Sequence, residues 1–160
     1  MKKTLTIIAV FGSLVVAHAQ IYEANLDGLQ EGPPNSSPGY GTGDFSLSGT
    51  TLSVTSGSYQ DLLGNSTAIT LNDPHGTNVV IFMLTLDSPG TTSGTFSGSV
   101  TLTSSEITDL QNGNLYVNLR SNVYPGGEIG GKLEPVPEPA TLALMGVGSL
   151  ALLVMRRRKV

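Results

Sequence analysis

His75 sits in Asp73-Pro74-His75-Gly76, a run that favours a turn. The other histidine, His18, falls in the N-terminal apolar segment, so the body of the chain has one imidazole to work with. Copper or zinc redox chemistry needs several such ligands. Cysteine is absent, which removes disulfides, thiolate nucleophiles, Cys-ligated zinc and Fe–S clusters. Serine is abundant, but no Gly-x-Ser-x-Gly elbow places one as a nucleophile. Paired carboxylates for glycoside hydrolysis would come from Asp27, Glu31, Asp44, Asp61 and Glu128, whose mutual distances a sequence does not give. No Asp-x-Asp-x-Asp-Gly calcium loop occurs. Gly39-Tyr40-Gly41-Thr42-Gly43 lacks the spacing and the lysine of a phosphate loop. Glu128 and Arg120 flank the Pro125-Gly126-Gly127 turn, where an ion pair would staple it. Tyr22, Tyr40, Tyr59, Tyr116 and Tyr124 are the candidate faces for stacking a sugar. Asn35-Ser36-Ser37 and Asn65-Ser66-Thr67 match the N-glycosylation sequon and read as Ser-rich turns. No catalytic, cofactor-binding or metal-binding residue is assigned, no cofactor is expected, and the chain is read as not an enzyme.

The elements that would position these residues occupy a segment bounded by two apolar ends. Of 8 basic residues in 160, six lie at Lys2, Lys3, Arg156, Arg157, Arg158 and Lys159. Residues 20–134 keep only Arg120 and Lys132 against eleven acids, 2 − 11 = −9. A body this acidic repels phosphate backbones, so nucleic acid is not an expected partner. The same charge helps a Ser/Thr-rich domain stay in solution.

Lys2-Lys3 precedes an apolar run over 5–17, and Ala17-His18-Ala19 puts small residues at Ala17 and Ala19. Charged region, apolar region and Ala-x-Ala site together make a secretory signal peptide over 1–19, cut by signal peptidase. The run is short for a permanent span. Near the other end, Pro135, Pro137 and Pro139 alternate, and each proline fixes φ and lacks an N–H. Residues 140–155 carry no charge. As a helix at ~1.5 Å per residue they span about 24 Å, slightly short of a typical bilayer core. Residues 156–160 form a basic tail expected to stay cytoplasmic, with the body translocated.

Val136-Pro137-Glu138-Pro139-Ala140, the apolar stretch and the cluster Arg156, Arg157, Arg158 together resemble the PEP-CTERM sorting signal of exported bacterial proteins. The resemblance implies recognition by an exosortase, a membrane-embedded cysteine protease. It also implies a Gram-negative bacterium that makes exopolysaccharide or biofilm. Pro137, Glu138 and Pro139 would then be the sorting motif within a 135–139 linker. The competing expectation is an ordinary C-terminal anchor on a proline-rich stalk.

Over 20–134 short alternating runs recur between turn signals. Phe45 and Leu47 alternate, then Leu52 and Val54 after a Ser48-Gly49-Thr50 turn. Phe96, Gly98, Val100 and Leu102 alternate with Ser and Thr, and Leu115, Val117 and Leu119 with Tyr116 and Asn118. The continuous apolar run over 79–84 predicts a central strand buried on both faces. Residues 128–133 predict a last strand. Thr103 and Glu106 have capping-box spacing ahead of Ile107 and Leu110, which predicts one short helix. Seven to nine short strands with Gly-rich turns make the domain all-β, a single β-sandwich or barrel.

Leu115-Tyr116-Val117-Asn118-Leu119, then Tyr124-Pro125-Gly126-Gly127-Glu128-Ile129 and Gly131-Lys132-Leu133, resemble the C-terminal signature of CHRD domains. Its quoted residues are Tyr116, Asn118, Pro125, Gly127, Glu128 and Ile129. Ala24-Asn25-Leu26-Asp27-Gly28-Leu29-Gln30-Glu31 followed by Pro33-Pro34 is similar to the family's opening strand. The resemblance implies an immunoglobulin-like barrel with likeness to copper/zinc superoxide dismutases. It departs from the family where imidazoles would stand. A His-x-His pair aligns with Ala68-Ile69-Thr70, a histidine with Arg120, and the usual arginine after Glu-Ile with Gly130. A cationic Arg120 would oppose a bound cation.

The expected function is an exported surface or matrix protein with a CHRD-like domain. It is transiently anchored in the inner membrane by the 140–155 helix, then processed by an exosortase. Its role is structural or adhesive in exopolysaccharide, with extracellular polysaccharide as partner. The alternatives are a secreted carboxylate-dependent hydrolase and a metal-binding dismutase-like module.

Overall fold

Alternating apolar and small polar residues over 40–60 fold into one long hairpin. β1 spans Gln20–Asp27, β2 Tyr40–Ser48 and β3 Thr51–Gln60 in the computed structural model, which describes residues 19–73 and 79–137. Phe45 and Leu47 of β2, with Leu52 and Tyr59 of β3, point into the core. Ser48 pairs with Thr51, so Gly49 and Thr50 make a two-residue turn. Gly49 has φ of +61°, a conformation that glycine adopts without steric cost.

The remaining strands are β4 (Ser66–Asp73), β5 (Val79–Leu86), β6 (Gly94–Ser97), β7 (Ser99–Thr101), β8 (Tyr116–Ser121), β9 (Ile129–Lys132) and β10 (Glu134–Pro135). The order β1-β2-β3-β6-β5-β4-β8-β9 returns to β1 where Asp27 pairs with Gly130, which closes an 8-strand barrel. The all-β expectation holds, and of its two forms the chain takes the barrel. β7 lies on β3, and β10 lies on the start of β1. Gly131 sits where β9 closes onto β1. A Cβ there would collide with the Asn25 carbonyl oxygen.

Inside the barrel the Phe96 ring fills the space over Gly57, where a Cβ would stand 2.6 Å from the ring. The Tyr59 hydroxyl reaches Ser66 Oγ at 2.9 Å and donates to the Ser88 carbonyl at 3.1 Å, so this buried phenol is satisfied. Between β7 and β8 the chain forms α1 (Ser104–Gln111). Thr103 Oγ1 accepts from the Glu106 N–H, and Glu106 Oε2 accepts from the Thr103 N–H at 2.7 Å, closing the expected capping box. Leu110 is buried and Ile107 packs against the same core.

The strand expected to be buried on both faces is not. Val80 is 42% and Met83 62% exposed, whereas Leu84 is buried. The reason is the single-layer barrel: Val80 pairs with Asn72 and Met83 with Thr70, so both stand on its outer face, whereas Leu84 pairs with the core residue Ile69. β6 meets β5 only at Thr85 and Leu86, then the chain leaves at Gly98 to run along β3 as β7. The other side of β5 pairs with β4, with a register shift opposite Leu71 and Asn72. Among the described residues no helix is long and apolar enough to cross a membrane. The expected helix over 140–155 lies outside the described residues, as does the signal segment up to residue 18.

Candidate functional site

Strand alternation places Ile69 and Leu71 of β4, and Val117 and Leu119 of β8, inside the barrel. Ala68, Thr70 and Asn72, with Tyr116, Asn118 and Arg120, are thereby sent to the outer face. Register sets them side by side: Ala68 opposite Arg120, Thr70 opposite Asn118, Asn72 opposite Tyr116. On the other side of β8, Tyr116 faces Lys132 and Asn118 faces Gly130 of β9. Thr70, Arg120 and Gly130 therefore share one patch of sheet.

The β1–β2 connection folds over that patch as a strap. Asp27 Oδ1 accepts from the Leu29 N–H at 2.8 Å and the Gln30 N–H at 2.9 Å, capping a 3-10 turn over Gly28–Gln30. Asn35 fastens the far end. Its N–H donates to the Gly28 carbonyl, and its Nδ2 to the Glu128 carbonyl at 3.0 Å and the Gly127 carbonyl at 3.3 Å. The amide of this sequon is thus engaged within the fold. The strap carries Glu31 over β9, where the Tyr116 hydroxyl and Glu31 Oε1 occupy the space a side chain on Gly130 would need.

The result is a hollow of about 270 Å³ with Glu31, Asn72, Tyr116, Asn118, Arg120 and Lys132 in its walls. A second hollow of about 350 Å³ adjoins it across Glu31, Gly32 and Gly126, and is walled by Pro33, Pro34, Pro125 and Tyr124. Glu31, Asn72 and Asn118 are more than nine-tenths buried. Asn72 Oδ1, Asn118 Oδ1 and Arg120 Nε are closed to solvent and have no hydrogen-bond partner among the described residues, while the Tyr116 hydroxyl and Glu31 Oε1 face each other over Gly130. Asn118 is oriented by its Nδ2, which donates to the Gly126 carbonyl at 3.0 Å and leaves Oδ1 as the free acceptor.

Burial pushes the Glu31 carboxyl above its ordinary range, and the Tyr116 hydroxyl, the Gly32 N–H and Arg120 oppose that shift. Burial, then the charge of Glu31, pushes the Tyr116 phenol up as well. Tyr116 therefore keeps its proton beside the Glu31 carboxyl.

The carboxylates considered for hydrolysis do not gather. Asp27 caps the strap, Asp44 and Asp61 are exposed, and Glu128 is buried. Glu31 is the one acid of the first hollow among the described residues. No group of three or more His, Cys, Asp or Glu able to hold a metal occurs among the described residues, and His75 lies outside them. The Glu128–Arg120 staple is also corrected. Glu128 precedes β9 and turns toward the loops, accepting from Ser37 Oγ at 2.6 Å, the Leu63 N–H and the Gly64 N–H at 3.2 Å. Arg120 stands on the outer face of β8. Carboxylate and guanidinium flank one turn in sequence but leave it on different sides.

Of the signature residues, Tyr116 and Asn118 wall the first hollow, Pro125 and Gly127 the second, and Glu128 and Ile129 are buried. Tyr22 and Tyr59 are buried in the core and offer no face to a sugar, whereas Tyr124 is half-exposed. Ala19 is exposed just ahead of β1, and Pro137 is exposed just after β10. Ala17, Glu138, Pro139, Arg156, Arg157 and Arg158 lie outside the described residues. Asn72 stands outside every motif read from the sequence, and Lys132 enters there only through its charge and the CHRD-like signature. The alternation of Ala68, Thr70 and Asn72 with Ile69 and Leu71 carried the signal for the first.

The CHRD domain family model matches residues 22–133. A model of the PEP-CTERM protein-sorting motif matches residues 135–159. The second match marks an exported chain that is processed by an exosortase at the surface of a Gram-negative bacterium. Neither the curated proteins nor the solved structures contain a match.

Proposed function

The chain belongs to the CHRD domain family, and from that premise we propose that it is a non-enzymatic, structural or adhesive protein of the extracellular polysaccharide layer. The observation that carries this reading is the outer-face groove. It gathers buried hydrogen-bonding groups without a second carboxylate or a metal-ligand cluster among the described residues. Such a surface is suited to holding a ligand rather than transforming it.

The ends serve delivery. Signal peptidase removes residues 1–19. Residues 140–155 hold the chain in the inner membrane, with Arg156, Arg157 and Arg158 on the cytoplasmic side, until the exosortase cuts at the Pro137-Glu138-Pro139 motif. Released, the acidic barrel enters the biofilm matrix or stays at the surface.

Co-sedimentation tests the reading. The processed protein, mixed with polysaccharide extracted from the matrix of the producing strain, should pellet with the polymer. Excess soluble fragments of that polymer should return it to the supernatant. Protein that remains in the supernatant throughout would contradict an adhesive role.

A further inference from the structure

We propose that the barrel end formed by the start of β1, the β2–β3 turn and β10 is a membrane-apposed surface whose partner is a lipid bilayer, so that the anchored chain stands with its strap and signature loops pointing outward. This rests on the anchoring by residues 140–155 and adds to it a face and an orientation.

The two chain ends leave the barrel side by side. β10 pairs Pro135 with Tyr22 and Glu134 with Glu23, and the Val136 N–H donates to the Ile21 carbonyl at 2.9 Å. Ala19 precedes Ile21 by two residues and Pro137 follows Val136, so both apolar segments of the sequence, 5–17 and 140–155, connect to the barrel at this one edge.

The linker is too short to let the barrel stand clear. Val136 is the last residue bonded to β1 among the described residues. From there to Ala140 is four residue steps, at most about 14 Å when fully extended. The headgroup layer on one side of a bilayer takes up about 5–8 Å of that reach. The end of the barrel is therefore held within a side chain's length of the headgroups. The Pro137-Glu138-Pro139 motif then falls in the gap between barrel and lipid, where an enzyme embedded in the membrane reaches it and a soluble one is crowded out.

The surface at this end fits a lipid partner. Ile21 and Val136 are large apolar side chains left exposed beside each other. Gln20 pairs with Leu47 and Ser48 with Thr51, which brings the Ser48-Gly49-Thr50 turn to the same rim. None of these residues ionises, in a body of net charge −9. Glu23 and Glu134, the nearest acids on β1 and β10, stand two residues further from the lipid. At the opposite end Asp27 ends β1, Asp61 follows β3, Asp87 follows β5, and Glu31 and Glu128 stand in the loops. The phosphates of a lipid surface repel that acidic end more than this one, so charge favours the same orientation as the tethers.

Strands of 8 residues (β1) and 10 residues (β3), rising about 3.3 Å per residue and tilted about 40°, put the two ends roughly 20–25 Å apart. A short-range quencher resolves that separation. The chain has no cysteine, so one introduced thiol carries a fluorophore at one chosen place. The full chain bearing Ile21→Cys, Thr50→Cys or, in the β3–β4 loop, Leu63→Cys, each at an exposed position, is reconstituted into phosphatidylcholine vesicles with a nitroxide on the headgroup. Quenching should be several times stronger at positions 21 and 50 than at 63. Positions 21 and 50 belong to different elements, so loss of folding in one variant leaves the other to report. Equal quenching at all three, or stronger quenching at 63, would overturn the orientation while sparing the anchor. So would vesicle-bound chain with no quenching at any position. A chain that does not float with the vesicles would sink the anchoring reading and this surface together.

Discussion

Alanines at Pro137, Glu138 and Pro139 are expected to leave the chain at full C-terminal length in the membrane fraction, with none released. The effect should be all or none, because in the proposed route the exosortase cut at this motif is what frees the chain. The fold makes the position of the motif specific. β10 pairs Glu134 with Glu23 and Pro135 with Tyr22, and the Val136 N–H donates to the Ile21 carbonyl at 2.9 Å. The barrel therefore holds the chain through Val136, and the motif begins at the next residue. Pro137 has no N–H with which to prolong such a ladder. Alanines would restore three ordinary residues there while leaving β10 intact. Immunoblotting of membrane and extracellular fractions, with mass spectrometry of the C-terminus, reads the outcome. Normal trimming of the triple variant would refute sorting at this motif.

The second large effect is on stability. Glu128→Ala should cost about 4 kcal/mol, from three donors left unpaired at roughly 1–3 kcal/mol each. Glu128 is fully buried, and its two oxygens hold Ser37 Oγ, the Leu63 N–H and the Gly64 N–H. It joins the strap and the β3–β4 loop to the start of β9, three pieces of chain with no helix or sheet ladder among them. Domains of this kind are stable by only about 5–15 kcal/mol, so the variant should be marginal or unfolded. Glu128→Gln keeps one acceptor oxygen but turns an amide donor toward another donor, and should cost about half as much. The shift in urea midpoint measures both. A loss under about 1 kcal/mol for the alanine variant would contradict the role assigned to this carboxylate.

What was legible depended on whether the cause was local. Thr103 and Glu106 sit three apart and cap a helix by themselves, so their spacing sufficed. The Phe45–Val54 hairpin was equally plain, because a two-residue turn and period-2 alternation fix it. The PEP-CTERM segment was readable for a different reason: a sorting motif is carried by linear chain, and the fold does not enter. The apolar run in β5 misled because only the inner face of a single-layer barrel is buried, and pairing with Asn72 and Thr70 puts Val80 and Met83 on the outer one. Arg120 and Glu128 looked like partners because they flank one turn. Strand alternation in β8 and the entry into β9 separated them.

The groove was the least legible part. Glu31, Asn72 and Tyr116 lie roughly forty residues apart from one to the next along the chain. Only the β4-β8-β9 register and the Asn35 latch bring them together. Thr70, Arg120 and Gly130 lie on three different strands or strand ends, far apart in the sequence. Only the fold shows that these three share a patch, and that Gly130 leaves room there for Glu31 and Tyr116.

The most direct test is where the processed protein resides in cultures that do and do not make exopolysaccharide. Quantitative immunoblots of matrix and cell-free medium should find it in the matrix of the producing strain. In a strain unable to synthesise the polymer it should move to the medium. An identical distribution in both strains would contradict the claim that polysaccharide is what this exported barrel holds.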